Sequence, residues 1–98
     1  MPGAAIPTVQ VDDERVRVTE WRFPPGTATG WHRHEFDYVV VPVTNGTLTI
    51  ANREGRMRSE LKNGIAYSRP AGVEHDVINE TTQEIAFVEI EIKRSGAG

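Results

Sequence analysis

Two of the chain's three histidines stand one residue apart, at His32 and His34. Side chains alternate between the two faces of a β-strand, so these two imidazoles point to the same side if the segment is extended. The third histidine, His75, lies in a separate segment that follows Pro-Ala-Gly at residues 70–72. If a second strand brings His75 to the first pair, three imidazoles surround one point, and such a set can bind a divalent metal ion.

Length and composition are those of one small globular domain. The chain has 98 residues, of which 38% are apolar and 26% are charged. We expect a single ordered domain over residues 6–93, with flexible tails at residues 1–5 and 94–98. A core of this size is only modestly stable, and anything that binds only the folded state adds stability. A bound metal ion or a second subunit would therefore stabilise the folded domain.

Charge and hydropathy argue against several classes of partner. The formal net charge is −3 and the sequence has no basic stripe, which argues against binding to nucleic acid. No apolar run is long enough to cross a bilayer, and the first residues lack the pattern of a signal peptide. We therefore expect no membrane partner and a cytoplasmic location. The chain has no cysteine, so the available metal ligands are His, carboxylate, Tyr and water.

Strand patterns dominate the middle of the chain. Polar and apolar residues alternate at residues 16–23, and β-branched residues are concentrated at residues 38–43. The Asn-Gly pair at residues 45–46 predicts a hairpin turn that leads from the second strand to a return strand at residues 47–51. A second Asn-Gly pair, at residues 63–64, predicts another turn. No segment shows a convincing helical period, so the chain is predicted to be an all-β sandwich or barrel.

The last predicted strand, at residues 85–93, alternates between apolar and charged residues from Val88 onward. Its apolar residues alternate with Glu89, Glu91 and Lys93. An antiparallel sheet commonly packs one face on the core and exposes the other. We therefore predict a buried apolar face and a solvated charged face for this strand.

Two sequence motifs resemble those of the cupin superfamily. Residues 26–34 contain a glycine, five further residues and then His-x-His, as in the first half of the first cupin motif. Residues 64–79 contain glycine, five residues, Pro-x-Gly, two residues, histidine, three residues and asparagine, which matches the second motif at every fixed position. Gly26 and Gly64 open turns where φ must be positive or a Cβ would clash. The resemblance implies a small single-domain cupin, an all-β double-stranded β-helix or jelly-roll barrel.

The resemblance also implies a metal site, because the histidines of the two cupin motifs bind a divalent metal ion. By this resemblance the ligands are His32, His34 and His75. The usual glutamate ligand is missing, since the corresponding positions hold Tyr38 and Val39. We expect Tyr38 at the pocket, where it donates a hydrogen bond, acts as a weak ligand or only fills the barrel mouth. Asp37 replaces the glutamate only if a β-bulge turns it inward.

A set of three histidines without the glutamate is similar to that of some cupin dioxygenases. Three neutral ligands leave the full charge of the metal in place, which favours an anionic or chelating small molecule as substrate. The resemblance implies Fe(II) as the metal, with Mn(II), Ni(II) or Zn(II) as alternatives, and Tyr38 as a catalytic residue. The other interpretations are a non-redox isomerase or lyase acting on a sugar acid and a cupin that binds a small molecule without catalysis. Arg69 is either an anchor for a substrate carboxylate or a solvated residue. Edge strands and a small core predict a homodimer.

Overall fold

The structure, a computed structural model, describes residues 3–93. These residues form eleven strands: β1 (Gly3–Ala4), β2 (Ile6–Asp12), β3 (Val16–Phe23), β4 (Thr27–Ala28), β5 (His32–Arg33), β6 (Asp37–Pro42), β7 (Gly46–Asn52), β8 (Gly55–Leu61), β9 (Tyr67–Arg69), β10 (Glu74–Ile78) and β11 (Ile85–Ile92). No helix that could span a bilayer is found in the described part of the chain.

The strands form two sheets that enclose a cavity. The first sheet has the order β1-β4-β10-β7-β8, with β5 paired to β10, and the second has the order β2-β3-β11-β6-β9. Phe23, Leu48, Leu61 and Ile85 are almost fully buried and belong to the apolar core. The predicted all-β barrel of a single small domain is confirmed, and β3 has the predicted bounds.

The predicted hairpin at residues 45–46 is wrong. β6 belongs to the second sheet and β7 to the first, so this turn carries the chain from one sheet to the other. The backbone N–H of Gly64 donates to Pro42 O at 2.8 Å, and that of Asn63 donates to Asn45 Oδ1 at 2.9 Å. The two Asn-Gly turns therefore lie side by side. An Asn-Gly pair specifies a tight turn, but long-range packing decides which strands then pair.

The chain enters the barrel earlier than residue 6. β1 pairs in parallel with β4, and Ala5 is buried. The remainder of the predicted tails, residues 1–2 and 94–98, lies outside the described residues.

The alternation along β11 is present, but its two faces are exchanged relative to the prediction. Glu89 and Glu91 are each 8% exposed and line the cavity, whereas Val88, Ile90 and Ile92 are half-buried on the other face. The prediction of a solvated charged face on this strand is therefore wrong. Polarity assigns the faces correctly when the interior is a packed apolar core, but the interior of this barrel is a cavity that accommodates charged groups.

Positive φ angles explain the glycines that open the two motifs. Gly26 has a φ of 79° and Gly64 a φ of 82°. A Cβ atom at either position would meet nothing within 4 Å. The backbone conformation, and not crowding, therefore favours glycine at both turns.

Asn79, the last residue of the second motif, is fully buried and hydrogen-bonds the end of β10 to β3 and to the turn that follows. Its Nδ2 donates to Phe23 O and Gln83 O, both at 2.8 Å. Its Oδ1 accepts from the backbone N–H and the hydroxyl of Thr81, at 3.0 and 2.7 Å. All these bonds are made within the protein, so the side chain both bonds inside the barrel and closes the following turn.

Candidate metal centre

Strand pairing brings the third histidine to the first two. His75 on β10 lies directly opposite His32 on β5 in antiparallel register. His34 follows β5, and its backbone N–H donates to Val73 O at 2.9 Å while its carbonyl accepts from Gly72 N at 2.8 Å. The Pro-Ala-Gly turn is thus tied to the His-x-His segment, which aligns the three imidazoles.

The three Nε2 atoms converge on one point. The Nε2 atom of His34 is 3.1 Å from that of His32 and 3.1 Å from that of His75. Two nitrogen ligands that are each about 2.1 Å from one ion, at an angle of roughly 90–109°, are about 3.0–3.4 Å apart. The donor set therefore fits a single divalent ion. Within residues 3–93, these three histidines form the only cluster of three or more His, Asp or Glu side chains whose ligand atoms lie close enough together to share one metal ion.

Hydrogen bonding orients the ring of His32 for ligation. Its Nδ1 lies 2.8 Å from Gly30 O. A carbonyl oxygen only accepts, so Nδ1 carries the proton in this contact and Nε2 presents a lone pair to the centre. The backbone N–H of Gly30 donates in turn to Asp76 Oδ1 at 3.0 Å, which fixes the loop.

Burial keeps the other two imidazoles neutral. The pKa values of His34 and His75 are lowered to about 4, first by burial and then by the neighbouring imidazoles. At neutral pH both rings therefore carry a free lone pair, which is the form that ligates a metal.

Tyr38 lies beside the histidines, as predicted. Its ring stacks on that of His34, with centroids 3.9 Å apart and an angle of 20° between the planes. The side chain is 3% exposed and lines the cavity. Burial raises the pKa of the Tyr38 hydroxyl to about 12, so the hydroxyl keeps its proton and can donate a hydrogen bond.

Asp37 takes no part in the histidine cluster. Its side chain is exposed, and Oδ1 accepts a hydrogen bond from the backbone N–H of Ala71 at 2.8 Å. The carboxylate therefore stabilises the Pro-Ala-Gly turn. The alternative in which a bulge turns Asp37 toward the metal is wrong, because residues 37–42 pair with β11 in unbroken register and the Asp37 side chain is exposed.

The three histidines line a cavity of about 820 Å³ whose walls are partly apolar and partly charged. Sequence reasoning missed three of its charged residues. Arg17 pairs with Glu91 on the wall, through Nε and Nη2 at 2.8 and 3.0 Å, and Glu89 lies on the same strand face as Glu91. Their alternation with apolar residues was visible in the sequence, but nothing in it showed that the charged face was the inner one. Arg69 also lines the cavity, and its Cζ atom lies 4.6 Å from the ring centroid of Tyr67.

Residues 19–91 match the cupin domain family. The chain belongs to the cupin superfamily. The superfamily predicted from the two motifs is therefore confirmed. Both motifs lie within the matched residues.

Several named proteins are similar to this cupin. Beta-alanine degradation protein BauB from Pseudomonas aeruginosa is 60% identical over 89 residues, which are 91% of this chain and 94% of BauB. A cupin domain from Bordetella pertussis is 61% identical with a TM-score of 0.94, covering 96% of this chain and 98% of that one. TT1209 from Thermus thermophilus is 25% identical with a TM-score of 0.70, covering 91% of this chain and 84% of that one.

Proposed function

We propose that this cupin is a metal-dependent dioxygenase that acts on a small organic acid in the cytoplasm. The proposal rests on the convergence of three Nε2 atoms, from His32, His34 and His75, with no carboxylate among them in the described residues. Three neutral ligands leave the charge of a divalent ion uncompensated. The centre therefore attracts an anionic group of the substrate.

Iron(II) is the metal that we propose for this centre, with Mn(II), Ni(II) and Zn(II) as alternatives. Bound by three protein ligands, iron(II) would retain open positions and supply the activation of O₂. We propose a reaction in which the substrate supplies all four electrons that O₂ takes up and both oxygen atoms enter the products, as in oxidative cleavage of a C–C bond, so that no separate reductant is needed.

The protein's own residues would bind and orient the substrate. The Tyr38 ring stacks on His34 and its hydroxyl keeps its proton, so the hydroxyl is suited to donate a hydrogen bond to an oxygen of the bound substrate. Arg69 lines the cavity and is exposed, so it can pair with a carboxylate that enters. Val40, Leu48 and Phe87 form apolar parts of the wall, which would pack against the carbon chain of the substrate.

The name of the Pseudomonas relative narrows the substrate class. BauB is a beta-alanine degradation protein and is 60% identical to this chain. We propose that the substrate here is β-alanine or a three-carbon acid derived from it. Such molecules carry the carboxylate that a centre of three neutral ligands favours.

Oxygen uptake tests this function. Protein loaded with Fe(II) is expected to consume one O₂ per substrate with β-alanine, a three-carbon 3-oxo or 3-hydroxy acid, a thiol acid or a diketone. Tyr38→Phe keeps the ring on His34 and removes only the hydroxyl, so we expect it to retain the metal but to lose about 100-fold in turnover. Metal content and O₂ consumption measured on the same samples check both statements. An absence of O₂ uptake across the panel by fully loaded protein would refute the dioxygenase.

A second candidate is a non-redox isomerase or lyase acting on an organic acid such as a sugar acid. It is favoured by Glu89, a buried carboxyl in the same cavity whose pKa is raised to about 7, chiefly by burial. Such a group can accept and return a proton at neutral pH. Turnover without O₂ by protein loaded with Mn(II), Ni(II) or Zn(II) would identify this function. Binding of the acids without turnover under either condition would leave a non-catalytic binding cupin.

We also propose that the protein is a homodimer. The outer face of the second sheet has a row of apolar residues, Val11, Val18, Ile90 and Val39, which are adjacent in the strand register. They are half-buried or exposed in one copy of the chain, so a second copy would remove apolar surface from water.

Sedimentation tests the dimer. We expect the wild-type protein to sediment at twice the monomer mass and Ile90→Lys, which places a charge in the row, to sediment as a monomer. Ile65→Lys is the matched control, because Ile65 is 64% exposed and lies in a loop outside this face. A monomeric wild type, or a dimer that Ile90→Lys leaves intact, would contradict this interface.

A further inference from the structure

Glu89 is a buried carboxyl that the proposed oxidation does not use. It lies on the inner face of β11, is 8% exposed and lines the same cavity as the histidines. Two residues further on the same face, Glu91 is neutralised by a bidentate pair with Arg17. Within residues 3–93, no cation lies at ion-pair distance from Glu89.

A purely structural role does not account for a carboxyl at this position. Burial raises its pKa to about 7, repulsion from Glu91 acts in the same direction, and a hydrogen bond from Trp21 opposes both. Burying an ionised carboxylate without a cation is costly, so a position that only packs favours an apolar side chain. Phe87, two residues earlier on the same strand face, is such a residue. A cation supplied by a ligand would offset the cost at Glu89.

The strand register places Glu89 one inward-facing position beyond Tyr38, the residue that stacks on His34. Tyr38, which stacks on His34, lies directly opposite Glu91. Glu89 lies opposite Val40, one inward-facing position further along, which is about 7 Å along the strands. The cavity therefore has two sites of opposite preference. The histidine centre attracts an anion, and Glu89, about 7 Å further along the strands, is a carboxyl without a cation partner.

We propose that Glu89 binds the ammonium group of the substrate, and that the substrate is a small amino acid. This inference rests on the proposed metal centre, which takes the carboxylate end. β-Alanine, the substrate proposed above, carries both the carboxylate and the ammonium group.

Binding to Zn(II)-loaded protein tests the inference without turnover, because zinc has no redox chemistry. Isothermal titration calorimetry is carried out with β-alanine and with propionate, which has the same carbon chain and lacks the amino group. We expect β-alanine to bind at least about 10-fold more tightly than propionate, as for a hydrogen bond between charged groups. Glu89→Gln should weaken β-alanine binding about 10-fold and leave propionate unchanged. Glu60→Gln, at an exposed position on β8, is the control and should change neither.

Two results would overturn the inference. The first is equal affinity of the wild-type protein for propionate and β-alanine, a comparison that requires no variant. The second is an equal loss for both ligands in Glu89→Gln, which indicates an effect on cavity shape alone. A separate Zn(II) titration distinguishes the two proposals: a wild type that does not bind Zn(II) refutes the metal centre, whereas one that binds Zn(II) and propionate without preferring the ammonium ligand refutes only the role of Glu89.

Discussion

His75→Gln is expected to abolish the thermal stabilisation that a divalent metal gives to the wild-type protein. With free metal at 100 times its Kd, a ligand that binds only the folded state adds about 2.7 kcal/mol, which raises the Tm of a domain of this size by roughly 10–20 °C. The three Nε2 atoms converge only in the folded chain, because His34 and His75 are 41 residues apart and lie in separate segments. Circular dichroism melting with and without Zn(II), and with Fe(II) under anaerobic conditions, measures the shift.

The variant removes one ligand and adds no charge. His75 is neutral in the folded protein because its pKa is lowered to about 4, so glutamine preserves the charge at this position above that pH. We therefore expect the metal-free variant to remain folded and its Tm to respond little to metal. Tyr38→Phe is the matched control, because it preserves the ring stacked on His34 and should retain the full shift. A full shift in His75→Gln would show that the metal binds elsewhere.

Glu89→Gln and Glu91→Gln are expected to change stability in opposite directions, although both residues lie on one face of β11. Glu89→Gln removes a buried carboxylate that has no cation partner in the described residues, and at about pH 8 it should raise the free energy of unfolding by up to about 3 kcal/mol. Glu91→Gln breaks the bidentate pair with Arg17 and should lower it by about 1–3 kcal/mol. Urea unfolding of the metal-free proteins measures both changes.

The effect of Glu89→Gln depends on pH, with a defined sign. The pKa of Glu89 is raised from 4.5 to about 7 on folding. Between these values the native protein keeps a proton that the unfolded chain has released, so the contribution of Glu89 to stability falls as pH rises through this window. The gain from Glu89→Gln should therefore be absent below about pH 4.5 and complete above about pH 8. The lowered pKa values of His34 and His75 make the stability of the wild type and of Glu89→Gln rise equally from about pH 4 to 6.5. This rise therefore cancels when the free energies of unfolding of the two proteins are subtracted.

This pair of variants also connects stability to binding. If Glu89 serves the ligand, Glu89→Gln is more stable than the wild type at neutral pH and yet discriminates less between β-alanine and propionate, as is common for residues of binding sites. Equal destabilisation by the two substitutions would indicate that the Glu89 carboxylate stabilises the fold, for instance through its hydrogen bond from Trp21, and would remove the physical basis of its proposed role.

The superfamily and the candidate metal ligands could be predicted from the sequence alone. The period of two that predicted β3, and the glycines whose φ angles are positive, report local backbone geometry, which adjacent residues specify. The spacing of His32, His34 and His75 within two motifs was sufficient to group them, because the motifs resemble those of a family in which strand pairing brings such residues together.

Which face of a strand lies inside the barrel depends on long-range packing. Alternation divides the residues of β11 into two sets, but the position of the second sheet decides which set lines the cavity, and it places Glu89 and Glu91 there. The same applies to the turn at residues 45–46, which joins two sheets, and to Asp37, which bonds to Ala71. These features depend on contacts between residues distant in the chain, and local propensities do not specify such contacts.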